Sequence, residues 1–235
     1  EMRICATSNL KNYEGKLCTA ERLKTLKTDV IVATSFDTVS FVKKMGGYKM
    51  YFVQDYEPYF YPFGELFLLA KKTYEQGLHM VSLGNWNKEM IERECRPVSP
   101  LDVIEFPYEK SEYPAVERDY LSYRDKKKLT MAVYLKFYGK RLPTIIPYML
   151  TDLKERLGND GIDLEICYFG EAKSFRPKGG TNLGMLTKEE LAQLYRRADF
   201  GMVASLSNIS LVPFEMAATG LPVIEDLGSG SLIDL

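Results

Sequence analysis

The sequence predicts an α/β protein made of two Rossmann-like halves, each a parallel sheet wrapped by helices. Three observations carry this reading: short β-branched runs alternate with helical patterns, the alternation breaks over residues 107–128, and it restarts at Leu129. Strand–helix–strand order requires crossover helices and therefore parallel strands. The 235 residues can supply one large core or two smaller ones.

In the first half, Val30 to Thr34 is a β-branched strand, followed from Asp37 by a helical pattern that puts Val39, Val42 and Met45 on one face and stops at Gly46-Gly47. Met50 to Val53 is the next strand. Glu65 to Gln76 carries Leu66, Leu69, Ala70 and Thr73 at helical spacing before Gly77. Met80 to Leu83, a helix through Met90 and Ile91, and Val103 to Phe106 complete the half. Pro107, Pro114, several acidic side chains and Lys126-Lys127-Lys128 then mark a boundary. We place the halves at residues 1–108 and 129–235, with a linker over 109–128.

In the second half, Leu129 to Leu135 reads as a strand and Pro143 opens a helix with Ile146, Met149, Leu150, Leu153 and Leu157 on one face and Gly158 as its stop. Leu164 to Phe169 is a strand. Thr187-Lys188-Glu189-Glu190 has the form of a capping box, and Leu191, Leu194, Tyr195 and Ala198 follow at helical spacing. Phe200 to Ala204, a short helix from Pro213 to Thr219, and Leu221 to Ile224 close the series. Ligands in such sheets bind at the carboxyl ends of the strands.

Composition narrows the function. A net charge of -1 gives no overall field for nucleic acid or acidic lipid. Cys5, Cys18, Cys95 and Cys167 are dispersed and His79 is the single histidine, so neither a zinc site nor a disulfide framework is implied, and a cytoplasmic setting fits. His79, ahead of Met80 and Val81, reads as structural. No apolar run approaches the roughly 20 residues of a membrane-spanning helix, so the chain reads as soluble, or peripheral at the inner face of a membrane at most.

One constellation carries chemistry. Asn182 to Leu186, Glu189-Glu190-Leu191-Ala192, Tyr195 to Asp199, and Val212-Pro213-Phe214-Glu215-Met216-Ala217-Ala218-Thr219-Gly220-Leu221-Pro222-Val223-Ile224 resemble, in order over about 45 residues, the donor-site signature of family 4 glycosyltransferases. Leu135-Lys136 and Lys140-Arg141 resemble that family's upstream cations. Tyr51 to Pro62 is similar to the N-terminal domain of bacterial rhamnan-type rhamnosyltransferases. The resemblance covers roughly residues 25 to 225. It implies a GT-B fold, with an acceptor-side domain at 1–108 and a nucleotide-sugar domain at 129–235, and activity that builds cell-surface polysaccharide. A nucleotide sugar, with rhamnose as one sugar it can carry, would be the co-substrate, and a glycan or lipid-linked molecule the acceptor. Both domains read as incomplete, with segments expected at both ends.

Physical reasoning reaches the same residues. A diphosphate leaving group needs fixed cations or N–H donors where its charge develops. Lys136, at a strand's carboxyl end, and Lys140 and Arg141 beyond it would face the crevice from one side; the loop Ser207-Asn208-Ile209-Ser210-Leu211 would offer N–H groups from the other. Glu215, in the first turn of the next helix, can accept two hydrogen bonds, as adjacent ribose hydroxyls supply; the resemblance implies that role for it. Lys136, Arg141 and Glu215 are the candidate catalytic residues, and Lys140, Met185 and residues 207–211 the candidate donor contacts. Gln54, Asp55 and Glu57 are candidates for the sugar or acceptor side, with Gln54 positioning and not titrating.

The chain departs from the family pattern where a pair of glutamates eight positions apart is usual, since Ser207 stands at the earlier position. It also has Gln54 where many members carry histidine, and lacks their glycine-rich first loop. No Asp-X-Asp is present, so no metal cofactor is implied. The resemblance implies retention at the anomeric carbon. The rival reading is a non-catalytic subunit that binds carbohydrate or a partner protein. An epimerase-like enzyme fits less well, because no Gly-X-Gly-X-X-Gly follows a predicted strand.

Overall fold

The computed structural model describes residues 3–4, 18–25, 27–137 and 139–225; Cys5 and the expectations for the chain ends lie outside them. A short antiparallel pair, β1 (Arg3–Ile4) and β2 (Cys18–Thr19), precedes α1 (Ala20–Thr25). Two sheets follow. The first contains β3 (Val30–Ala33), β4 (Tyr48–Val53), β5 (His79–Leu83) and β6 (Leu101–Ile104), all parallel and in chain order. Its crossovers carry α2 (Phe36–Val42), α3 (Glu65–Thr73) and α4 (Asn85–Glu94).

The second sheet contains β7 (Lys128–Tyr134), β8 (Asp163–Phe169), β9 (Thr181–Asn182), β10 (Phe200–Val203) and β11 (Val223–Glu225). All are parallel, in the order β11-β10-β7-β8-β9. The helices are α5 (Ile145–Asn159), α6 (Lys188–Arg197) and α7 (Val212–Ala218). The two-residue period of β7 divides its side chains between two cores. Met131 and Val133 pack with Ile146 and Leu150 of α5, while Ala132 packs with Tyr195 of α6 and Met216 of α7. Burial on both faces explains the unbroken apolar run Met131-Ala132-Val133 at its centre.

Two boundaries differ from the sequence expectation for identifiable reasons. α5 runs through Gly158 and stops beyond it, because Gly161 is the residue at positive φ, 74°. There Ile162 N–H donates to Leu157 O at 2.8 Å and Gly161 N–H to Gly158 O at 3.1 Å, the paired closure of a Schellman cap. β6 pairs from Leu101 to Ile104, two residues earlier than expected. Phe106 is thereby released to stack on Phe214 of α7, with centroids 4.7 Å apart.

The segment 109–128 packs against the second sheet's helices. Tyr113 is buried beside Tyr195, Val116 N–H donates to Thr219 O at 3.2 Å, and Tyr120 Oη donates to Gly220 O at 2.6 Å. Arg118 donates to Ala198 O at 2.7 Å and Tyr195 O at 2.5 Å, satisfying carbonyls at the end of α6 that have no partner within the helix. His79 is structural as expected: its ring bridges Tyr48 Oη at 2.6 Å and Asp102 Oδ2 at 2.7 Å at the sheet's amino-terminal edge. Replacing Arg118 with alanine leaves the α6 carbonyls unpaired, and should destabilise the second half by about 1.5 to 3 kcal/mol, read as a lower denaturant midpoint for its transition.

Candidate functional site

Strand direction places the carboxyl ends of both sheets at a common cleft of about 760 Å³. The first half contributes Thr34 to Asp37 after β3, Gln54, Asp55 and Glu57 after β4, Phe60, Tyr61, and Leu83 at the end of β5. The second half contributes Tyr134, Lys140, Asn208, and Ser210 to Val212 with Glu215.

The halves meet through a buried carboxylate. Asp55 accepts from its neighbour Tyr56 N–H at 2.8 Å, from Ser207 Oγ at 3.1 Å and from Asn208 N–H at 3.2 Å, and it forms an ion pair with Lys140 Nζ. Asn208 adds a second hold, its side-chain amide donating to Gln54 O at 2.8 Å and Leu83 O at 3.0 Å. Burial depresses the Lys140 ammonium pKa, and the Asp55 charge opposes that shift. Lys140 also lies over the Phe60 ring, 5.3 Å from its centroid.

Arg141, expected at the leaving group, is instead 4% exposed and does not line the cleft. Its Nη1 donates to Ala204 O and Ile209 O, each at 3.1 Å, and its guanidinium lies over Tyr134. It braces the loop 204–209, in which Ile209 is completely buried. Lys136 and the exposed Met185 also lie outside the cleft lining. Ser207 is buried against Asp55. Of the nine expected catalytic and donor-side residues other than Glu215, the fold brings Lys140, Asn208, Ser210 and Leu211 to the cleft wall.

Glu215 faces the cleft from the first turn of α7 and is half-buried. Desolvation raises its pKa above the usual glutamate range, and the hydrogen bond from Tyr113 partly offsets this. Ser210 beside it has φ 86°, an uncommon conformation for a side-chain-bearing residue, and its buried Oγ has no partner. On the opposite wall Glu57 is 6% exposed, accepting from Phe36 N–H at 2.8 Å and Tyr51 Oη at 3.1 Å. Desolvation raises its pKa too. Glu57 therefore satisfies the start of α2 as well as lining the cleft.

Residues 34–37 and Tyr134 line this site, and buried Tyr113 backs Glu215; none of them figures in the sequence expectation. The first group had a usable signal, since a strand-to-helix junction in a parallel sheet lies at the binding edge. Tyr113 had none, being in a segment read as linker. Among the described residues no group of three or more His, Cys, Asp or Glu side chains is arranged to hold a metal ion, and no helix is long and apolar enough to cross a membrane.

Loss of the Arg141 brace is expected to show first in stability: Arg141→Ala should cost about 1.5 to 3 kcal/mol per charged hydrogen bond removed, measured by chemical unfolding. An unchanged midpoint would return Arg141 to the list of ligand contacts.

No protein-family model and no curated protein matches this chain. Among solved structures it is similar to sucrose-phosphate synthase from Thermosynechococcus elongatus, with TM-score 0.64 and 12% identity, over 86% of this chain and 57% of that one. It is likewise similar to TarM, with TM-score 0.63 and 10% identity, over 88% of this chain and 43% of that one. The chain thus spans about half the length of the structures it matches. With two all-parallel sheets opening onto one cleft, the likeness shows that this chain has the GT-B fold.

Proposed function

We propose that the chain is a glycosyltransferase that binds a nucleotide-sugar donor in the inter-sheet cleft and transfers the sugar to a glycan or lipid-linked acceptor. The observation that carries this reading is the placement of Glu215. A half-buried carboxylate at the start of α7 faces a cleft whose roughly 760 Å³ lies within the usual range of about 300 to 1,000 Å³ for small-molecule sites. Its oxygens can accept from adjacent ribose hydroxyls. Lys140, the cation of the lining, would meet the diphosphate. Gln54, on the opposite wall, would orient the sugar or acceptor. Rhamnose is the first donor sugar to test, given the Tyr51 to Pro62 resemblance.

In the reaction, the acceptor oxygen attacks the anomeric carbon while the bond from that carbon to the diphosphate oxygen breaks. The acceptor's proton passes to the departing phosphate, on the face that retains configuration. The protein's contribution is then positioning and charge stabilisation.

One observation favours the rival, a non-catalytic binding subunit. Arg141 is engaged by backbone carbonyls and Lys140 by Asp55, so the cation supply at the cleft is smaller than the sequence suggests. Turnover separates the two. For an enzyme, Lys140→Ala should lower kcat more than it raises KM, because leaving-group charge is larger in the transition state. A binding subunit has no turnover to lose.

Donor identity is tested by thermal shift against UDP-, GDP-, dTDP- and ADP-sugars, since a ligand at 100 times its Kd stabilises by about 2.7 kcal/mol. With the best donor, Glu215→Gln should weaken binding by roughly 2 to 4 kcal/mol in calorimetry, and unchanged affinity would remove Glu215 from the site.

Binding should also depend on pH. Hydroxyl donors favour the ionised carboxylate, so affinity is full above the raised Glu215 pKa and falls as pH drops through it. The fall should begin at higher pH than an ordinary glutamate would give, and Glu215→Gln should flatten it. A wild-type profile flat across the acidic range would contradict the assignment.

A further inference from the structure

The contacts of Asp55 form a recognisable chemical set. An ammonium (Lys140), a hydroxyl (Ser207) and a backbone N–H (Asn208) converge on one carboxylate from another half of the molecule, 85, 152 and 153 residues distant in sequence. Asp55 is 5% exposed, Ser207 0% and Asn208 2%, so these are built interior contacts. A cation with convergent O–H and N–H donors is also the set that recognises a phosphate oxygen. Asp55, Lys140, Asn208, Ser210 and Glu215 all line the same cleft, so a ligand seated at Glu215 shares it with Lys140 and Asn208 of this set, while Ser207 is buried against Asp55.

We propose that Asp55 is an internal anion occupying a phosphate cradle, a latch that a diphosphate-bearing ligand displaces in order to bind. This deepens the glycosyltransferase reading and rests on it. With Asp55 in place the Lys140 charge is already neutralised, and an arriving diphosphate meets a carboxylate on the same donors. The Asn208 amide is a separate hold. Its bonds to Gln54 O and Leu83 O involve no ionised group, so they keep loop 205–210 against the ends of β4 and β5 after the carboxylate is displaced. Asp55 can thus yield its donors to a ligand while the two halves stay docked.

The experiment uses inorganic pyrophosphate as the probe, titrated calorimetrically into the full chain. Asp55→Asn keeps the shape of the side chain and removes the competing charge, and should bind pyrophosphate about tenfold or more tighter than wild type. Adding Lys140→Ala to that variant should abolish the gain. Asp55→Ser serves if Asp55→Asn lacks a cooperative unfolding transition, and is read in the same way. Equal or weaker binding by the neutral variants overturns the latch, as does a gain that survives the loss of Lys140, or absence of pyrophosphate binding by every form. Failure of the glycosyltransferase reading shows elsewhere: no nucleotide sugar binds in a Glu215-dependent manner, whatever the Asp55 variants do with pyrophosphate.

Discussion

A buried carboxylate must be matched by donors, and in this molecule the donors for Asp55 lie on the other sheet. Tyr56 N–H alone would leave most of its hydrogen-bonding capacity unfilled; Lys140, Ser207 and Asn208 complete it. Leaving such a group unpaired costs several kcal/mol. Asp55 is thereby the charged tie between the two halves, beside the uncharged hold that the Asn208 amide supplies. The cleft inherits that constraint, because its walls are the loops these bonds draw together.

The loop over residues 204–211 is shaped from both sides. Arg141 holds its carbonyls from beneath, Asp55 and the backbone carbonyls after β4 and β5 hold Asn208 from across the cleft, and Ile209 is sealed in the core. Ser210 emerges from this bracing at positive φ with an unpaired hydroxyl, immediately before the helix that presents Glu215. Strain of this kind persists where the surroundings over-determine the backbone. The consequence is a braced wall in which the Ser210 hydroxyl is buried without a partner and the Glu215 carboxylate lines the cleft.

Charge in the site divides into structural and exposed parts. Arg141 is consumed by backbone carbonyls in bracing a loop, and Glu57 by Phe36 N–H at the start of α2 and the Tyr51 hydroxyl. Lys140 and Asp55 are spent on each other. Glu215 is different in kind: its neighbours desolvate it, and Tyr113 supplies only one donor.

The order of strands and helices was legible in the sequence, because period-2 and period-3.6 apolar patterns are local and each element had to bury a face. Glu215 at a helix start, the α6 capping box and the strand-end location of the cleft were legible for the same reason. Exact ends were less so: Gly158 and Gly161 are equivalent as letters, and only backbone conformation made Gly161 the stop. What the tertiary structure alone decided is how the cations are used. Lys140 and Arg141 are adjacent in sequence, yet one points to a carboxylate across the cleft and the other to carbonyls beneath a loop. Their partners lie 63 to 85 residues away, one across the two sheets and the others within the second half, and no local pattern encodes pairings that arise only when distant segments pack together.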